Sequence, residues 1–419
     1  MSAARVEGDV TGPGVRRLGH DPVSWPRTPD DRRPRVLHVT GINVGGIAVH
    51  LETLLRALGT EAFDLAIAFV SSGHDDPLVE GLGIARFDYS VLDRRPAFTQ
   101  SFGSPLTLAT QLLRLRRLIA STRPDIVHTH TAVAAALGRL AARTVPDTVV
   151  VNTVHAFAGH RHQPAYRRVP LGLAERVLER LTDHTIVPSR AMRDLGVESG
   201  VLRPDRVDVI PHGLRSAPTD DDPVELLRRE VGIGVDVPLV GFFGRLVPQK
   251  GVEDLAPMIA GIAEEVPDVE LLVVGDGSEM GELRHAVASL GAGSRVHFLG
   301  WRRDARRLMG AVDVVVIPSR WEAFGLVGVE AMAAGKPVAA YAVEGIPEVV
   351  VDGETGVLVL PGDVDRLSEV VAGLLSSPAQ RTRMGAAGVV RFQNRFDHTA
   401  MADATADLYR RLLDSAARR

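Results

Sequence analysis

Two cations close the loop behind one short apolar run. In Phe242-Phe243-Gly244-Arg245-Leu246-Val247-Pro248-Gln249-Lys250-Gly251, Gly244 permits a tight turn, and Arg245 and Lys250 bracket the chain as it enters a helix. Paired cations beside a helix start suit a diphosphate, because amide groups, dipole and side-chain charge all favour an anion there. The chain has 48 Lys+Arg, and only Lys250 and Lys336 are lysine. A lysine kept against that bias is read either as a compact ammonium that arginine does not replace or as chance, and two cases do not decide between them. Lys336, in a Gly-Lys-Pro turn, is expected at the surface.

A second segment carries paired carboxylates. In Pro318-Ser319-Arg320-Trp321-Glu322-Ala323-Phe324-Gly325-Leu326-Val327-Gly328-Val329-Glu330, Glu322 falls in a loop and Glu330 on a helix starting near Phe324. The amides of Phe324, Gly325 and Leu326 would be free at that helix start, ready for phosphate oxygens. Carboxylates beside an anion cradle do not bind phosphate. They accept hydrogen bonds from sugar hydroxyls.

Other signals are weaker. Asp363-Val364-Asp365 looks like a metal-binding pair, but after Pro361-Gly362 it is expected to cap a helix. His128-Thr129-His130 and His160-Arg161-His162 space two histidines like ligands, each without a third partner in sequence, so no metal site is expected. Gly275-Asp276-Gly277 is read as backbone packing with possible base contact.

The elements that must position these groups follow from periodicity. Residues 1–33 hold scattered Gly, Pro and charge without periodicity, and are expected to be a disordered leader. They lack the apolar stretch of a signal peptide, which points to a cytoplasmic protein. Strands are expected at 36–39, 65–70, 125–130, 149–153, 184–187 and 207–210. After the first, Gly45-Gly46 leads into a stretch with Leu51, Leu54, Leu55 and Leu58 at helical spacing. Residues 215–223, with Pro218 and Asp220-Asp221-Asp222, are expected to be a linker. A second series follows, with strands at 239–243, 269–275, 296–299, 312–317, 337–341 and 357–360, and a last amphipathic helix over 397–416. Apolar runs alternating with helices imply parallel sheets covered on both faces. The expected division is 1–33, 34–212, 213–396 and 397–419. In such sheets ligands bind beyond the carboxyl ends of the strands.

Composition narrows the function further. The chain has 419 residues, 45% hydrophobic and 24% charged, with no cysteine and a net charge of −4. There is neither a thiolate nucleophile nor a disulfide framework, and the charge disfavours nucleic acid as partner. Residues 34–212 carry 20 basic against 17 acidic residues, and residues 213–419 carry 22 against 30. Arg114, Arg116 and Arg117 lie among Leu112, Leu113, Leu115 and Leu118. That helix is read first as solvated and second as a peripheral contact with an anionic inner-membrane face.

Together these motifs resemble the retaining GT-B glycosyltransferases of family 4. The resemblance rests on Gly45-Gly46, Gly244-Arg245 with Lys250, the Glu322-to-Glu330 segment, Ile210-Pro211-His212-Gly213, Gly345-Ile346-Pro347-Glu348-Val349 and Gly353-Glu354-Thr355-Gly356. It spans residues 35 to 395. It implies an α/β GT-B fold: two tandem doubly wound Rossmann-like domains with an inter-domain cleft, the first binding acceptor and the second nucleotide sugar. It further implies that Arg245 and Lys250 neutralise the donor diphosphate, Glu330 binds the ribose, and Glu322 holds the donor sugar. Gly244 and the amides of Phe324, Gly325 and Leu326 would support phosphate and sugar, and Gly45 and Gly46 would approach the same diphosphate. His155, in Asn152-Thr153-Val154-His155, matches a histidine near the sugar C6 and acceptor. The following Ala156-Phe157-Ala158-Gly159-His160 departs from the family's acidic follow-on.

The expected activity is transfer of a sugar from a nucleotide diphosphate sugar, UDP favoured, to a glycan, lipid-linked or small-molecule acceptor, with no cofactor and no metal. Two other classes stay open: a sugar-nucleotide epimerase of the same architecture, and a non-catalytic nucleotide-sugar-binding partner of another enzyme.

Overall fold

A computed structural model describes residues 15–17, 25, 33–41, 45–70, 84–89, 104–215, 224–230 and 232–418. The chain forms two compact units. One comprises residues 1–187, 195–208 and 402–419, and the other residues 188–194 and 209–401.

Among the described residues the first unit holds eight strands: β1 (Val15–Arg17), β2 (Arg35–Val39), β3 (Asp64–Phe69), β4 (Ala85–Asp88), β5 (Ile126–His130), β6 (Val149–Thr153), β7 (His184–Val187) and β8 (Val207–Val209). They form one sheet in the order β1-β4-β3-β2-β5-β6-β7-β8. The paired ladders are parallel, with Val36 opposite Leu65 on one side and Ile126 on the other. Strands β2, β5 and β6 are buried along their whole length. Burial on both faces marks a parallel sheet covered by helices, and here it encloses His38, His128 and His130 along with the apolar residues. The helix Gly46–Leu58 buries Leu51, Leu54, Leu55 and Leu58, the spacing of a single apolar stripe.

The second unit holds β9 (Leu239–Phe243), β10 (Glu270–Val274), β11 (Val296–Gly300), β12 (Val314–Ile317), β13 (Val338–Tyr341) and β14 (Gly356–Val359). Their order is β11-β10-β9-β12-β13-β14, again parallel. Counted within the unit this is 3-2-1-4-5-6, which reverses direction between β9 and β12. The crevice at such a reversal is where doubly wound sheets take their ligands. The loops after β9 and β12 are the two segments singled out by their chemistry.

Two expectations are corrected, and one strand is new. The leader is not wholly without structure. Val15–Arg17 pairs in parallel with β4, and Trp25 is buried in the first unit's core. Its indole Nε1 donates to Asp64 Oδ1 at 3.0 Å, and the Arg35 guanidinium lies 4.7 Å over its ring. Trp25 is a single aromatic within a sequence that shows no periodicity, and the three residues of β1 are too few to display an alternation. Residues 1–14, 18–24 and 26–32 of the leader, and 216–223 of the expected linker, lie outside the described residues. Strand β4 was not anticipated, since Ala85–Asp88 carries two charges in four residues. The last helix, His398–Ala417, is not a separate appendage: from residue 402 onward it belongs to the first unit, where the Tyr409 ring packs edge-on against Phe63.

Candidate active site

In the second unit β9 delivers Gly244 and Arg245 to the sheet's carboxyl edge. The chain then makes a 3-10 turn, Pro248–Lys250, closed by Gly251 in the left-handed region at φ 63°. A Cβ at Gly251 would strike the carbonyl oxygen of Pro318, so only glycine lets this turn lie against the loop after β12. Hydrogen bonds tie the two loops together. Arg320 N donates to Gln249 O at 2.8 Å, and Gln249 Nε2 donates to Trp321 O at 3.2 Å. The other end of Gln249 receives Arg245 Nη2 at 3.2 Å, which orients an otherwise exposed guanidinium.

Lys250 Nζ donates to Glu322 Oε2, and each side chain is 15% exposed. Ser319 Oγ lies 3.4 Å from the same carboxylate oxygen. The Glu322 backbone is held from β13's side: Glu322 N donates to Glu344 Oε2 at 3.0 Å, and Gly345 N to Glu322 O at 3.0 Å. Glu344 takes φ 41°, an unusual conformation for a residue with a side chain, and here it serves to brace the glutamate.

The helix that follows runs Leu326–Ala333, two residues later than expected, with Gly325 as its N-cap at φ 96°. Among the described residues, the amides of Phe324, Gly325 and Leu326 donate to no protein acceptor. The Phe324 ring points elsewhere. It is buried edge-on against His212 and Phe396, so this residue's offering to a ligand is its backbone. Glu330, one turn into the helix, is 13% exposed with Arg306 Nε at 3.9 Å. Burial pushes its carboxyl up to about 7, against the pull of Arg306 and Lys250.

The second unit therefore brings together Gly244, Arg245, Lys250, Glu322, the three amides and Glu330. Sequence reasoning missed Gln249, Arg306 and Glu344. Only Glu344 carried a signal, a charged residue directly before Gly345-Ile346-Pro347. Gly275 and Gly277 pack against the carbonyls of Gly244 and Leu246, the backbone role expected of them. Asp363 caps the helix Val364–Ser376 by accepting from Arg366 N at 3.1 Å. Lys336 is a correction: it is half-buried, and burial holds its ammonium below the usual lysine range.

The first unit holds Gly45, Gly46 and His155. Gly45, at φ 75° and ψ −162°, sits in a region essentially confined to glycine and opens the helix Gly46–Leu58. His155 follows β6, and burial lowers its imidazole to about 4. It is one of five clustered histidines. His38 Nδ1 lies 3.1 Å from His130 Nε2, and His130 Nδ1 lies 3.4 Å from His155 Nε2. His128 is clamped between Tyr409 Oη at 2.5 Å and Thr153 Oγ1 at 2.7 Å, and His50 packs edge-on to His155. The pair His128 and His130 thus has the partners that the sequence did not reveal. They come from β2, the following helix and β6, which only the fold brings alongside β5.

This chemistry can be set against known proteins. Residues 223–390 match the family of glycosyl transferases group 1, and residues 44–217 match Glycosyltransferase Family 4. The D-inositol 3-phosphate glycosyltransferase of Mycolicibacterium paratuberculosis is 30% identical over 95% of this chain and 94% of its own. This chain is a GT-B glycosyltransferase of family 4. Sucrose-phosphate synthase from Thermosynechococcus elongatus superposes on the family 4 chain with a TM-score of 0.78 at 25% identity, covering 92% of this chain and all of that one. HepE of Anabaena, solved with UDP and glucose, gives 0.74 at 25% identity over 89% of this chain and 98% of its own. Two parallel-sheet Rossmann-like units are the architecture shared with these structures. No described helix of this glycosyltransferase is long and apolar enough to cross a membrane.

Proposed function

We propose that this enzyme is a retaining hexosyltransferase that uses a UDP-sugar. The observation that carries the reading is the loop pairing at the β9–β12 reversal, which sets Arg245 and Lys250 beside three undonated amides and two glutamates. Breaking the bond from sugar C1 to the diphosphate leaves negative charge on the nucleotide. Preorganised cations and amides stabilise that charge, commonly the largest catalytic contribution. Glu322 holds sugar hydroxyls and Glu330 the ribose. UDP is supported by the Anabaena structure solved with it.

Retention follows when the acceptor oxygen attacks C1 on the face the phosphate leaves. The C1–O bond to phosphate breaks, the C1–O bond to acceptor forms, and the acceptor proton passes to the departing phosphate oxygen. That scheme needs no carboxylate nucleophile. His155 is assigned to the sugar and acceptor side, and Gly45 and Gly46 to the diphosphate.

The acceptor is a hydroxyl compound, either a glycan, a lipid-linked glycan or a small molecule. Relatives named for inositol phosphate and sucrose phosphate favour including phosphorylated polyols and sugars. A peripheral contact with an anionic membrane is better supported by the helix Ala165–Glu179 than by Pro105–Thr122. The first exposes Tyr166, Val169, Leu173 and Val177 beside Arg167, Arg168 and Arg176, whereas the second buries Leu115 and Leu118 in the core.

The test is a donor screen by thermal shift, followed by product mass and anomeric configuration by NMR. A UDP-sugar should raise the melting temperature by mass action, and the product should keep the α anomer. An inverted product would overturn retention, and epimerised donor would overturn transfer. Activity should survive exhaustive EDTA treatment. Loss restored by magnesium or manganese would show that the side chains do not neutralise the diphosphate alone.

A further inference from the structure

We propose that His50, His130 and His155 form a site for a borderline transition-metal ion, zinc(II) by preference. One ring nitrogen from each lies within 4.8 Å of the others. The decisive spacing is 3.4 Å between His130 Nδ1 and His155 Nε2. It is long for a hydrogen bond between nitrogens. It equals the separation of two ligands on a tetrahedral ion with metal–nitrogen bonds of about 2.0–2.1 Å, which is about 3.3–3.4 Å.

The three imidazoles come from three elements that converge at one edge of the sheet. His50 lies on the helix Gly46–Leu58, His130 ends β5, and His155 follows β6. Strands β2 and β5 meet where the order of the first sheet reverses, the ligand-binding position of such sheets.

The surroundings match what ligating histidines require. With a metal on His130 Nδ1, its Nε2–H donates to His38 Nδ1 at 3.1 Å, the outer bond that fixes the tautomer and strengthens the ligand. His38, His128 and His130 also converge within the same distance. That trio is fully buried, and both nitrogens of His128 are committed to Tyr409 and Thr153. The trio with His155 has a half-buried member and so a path for an ion to enter. Three neutral imidazoles without a carboxylate suit zinc, cobalt, nickel or copper and not magnesium or manganese. The fourth tetrahedral position is left for water or a hydroxyl oxygen. All three ligands lie in the first unit, so the proposal does not depend on how the second unit holds the donor.

The test uses the full chain, stripped with EDTA, desalted and titrated with cobalt(II) chloride. One equivalent should bind with the intense visible bands of tetrahedral cobalt, and zinc should displace it. His50→Leu and His155→Leu should each weaken cobalt binding at least tenfold while near-ultraviolet circular dichroism stays unchanged. His162→Asn, outside the cluster, should bind as wild type does. Absence of a saturable tetrahedral spectrum would overturn the proposal. So would affinity in His50→Leu and His155→Leu equal to that of wild type, or loss of binding in His162→Asn alone.

Discussion

Lys250 and Glu322, 72 positions apart in sequence, share one ion pair at the edge of the second sheet. The cation assigned to the diphosphate and the carboxylate assigned to the sugar are thus partners before either ligand arrives. A diphosphate must share Lys250 with Glu322 or draw it away. Glu322→Gln removes the competitor and keeps the size, so affinity for free nucleoside diphosphate should hold or rise. Turnover should fall at least tenfold, because sugar orientation matters most as the glycosidic bond opens. Lys250→Ala should weaken the diphosphate and, by stranding a half-buried carboxylate, cost about 1–3 kcal/mol of stability. In the double variant the stability losses should sum to less than the two singles. Calorimetric titration and urea unfolding check both claims. Equal loss of nucleotide affinity in the two single variants would show the roles are wrongly divided.

Arg245 reaches the loop through Gln249 and is exposed. Arg245→Lys keeps the charge and loses the planar fork, whereas Arg245→Ala loses both. Activity should therefore order as wild type, then lysine, then alanine, with alanine costing roughly 1.5–3 kcal/mol in kcat/KM. Alanine within twofold of wild type would remove Arg245 from the donor site.

Much of this architecture was legible because apolar runs and loop chemistry are local. Strands β6, β7 and β9 fall where the runs predict, and Glu322 lies in the loop after β12 as its segment predicts. What stayed hidden depends on contacts across the sheet. His50, His130 and His155 are 105 positions from end to end, and nothing in their spacing shows that β2, β5 and β6 lie side by side. Tyr409 holds His128 from 281 positions away, and no periodicity reports such a return. β1 and Trp25 escaped for the opposite reason. Each is too short a signal to rise above the Gly and Pro around it.

Gly325 tests the amide cradle through backbone shape alone. Its φ of 96° is strained for any L side chain, and an added Cβ would lie 2.5 Å from Ile346 Cδ1. Gly325→Ala should cost about 1–3 kcal/mol of stability and weaken donor binding with no charge altered. Gly281, inside the helix Met280–Ser289 with open space around its Cβ position, is the control. Gly281→Ala should be stabilising by about 0.4–1 kcal/mol. Unfolding curves for the pair decide it, and equal behaviour would mean that the cradle tolerates a different backbone.

Glu330 gives the donor site a pH dependence whose sign can be worked out. In the free enzyme burial holds its carboxyl at about 7, so below that pH it is protonated and offers a poorer acceptor. Ribose hydroxyls donate to the carboxylate and so favour the ionised form, which lowers its pKa in the complex. Affinity must then rise with pH through about 7 and level off above it, with a limit of tenfold per pH unit below the free pKa. The nucleotide's own phosphate titrates nearby, so the useful quantity is a ratio. Glu330→Gln cannot titrate, and the wild-type affinity for UDP divided by the variant's should increase roughly tenfold from pH 6 to pH 8. Arg306, at 3.9 Å, sets the scale. Arg306→Ala removes a charge that pulls the pKa down, and should move the midpoint of the ratio to higher pH. A ratio independent of pH would mean that Glu330 does not meet the nucleotide.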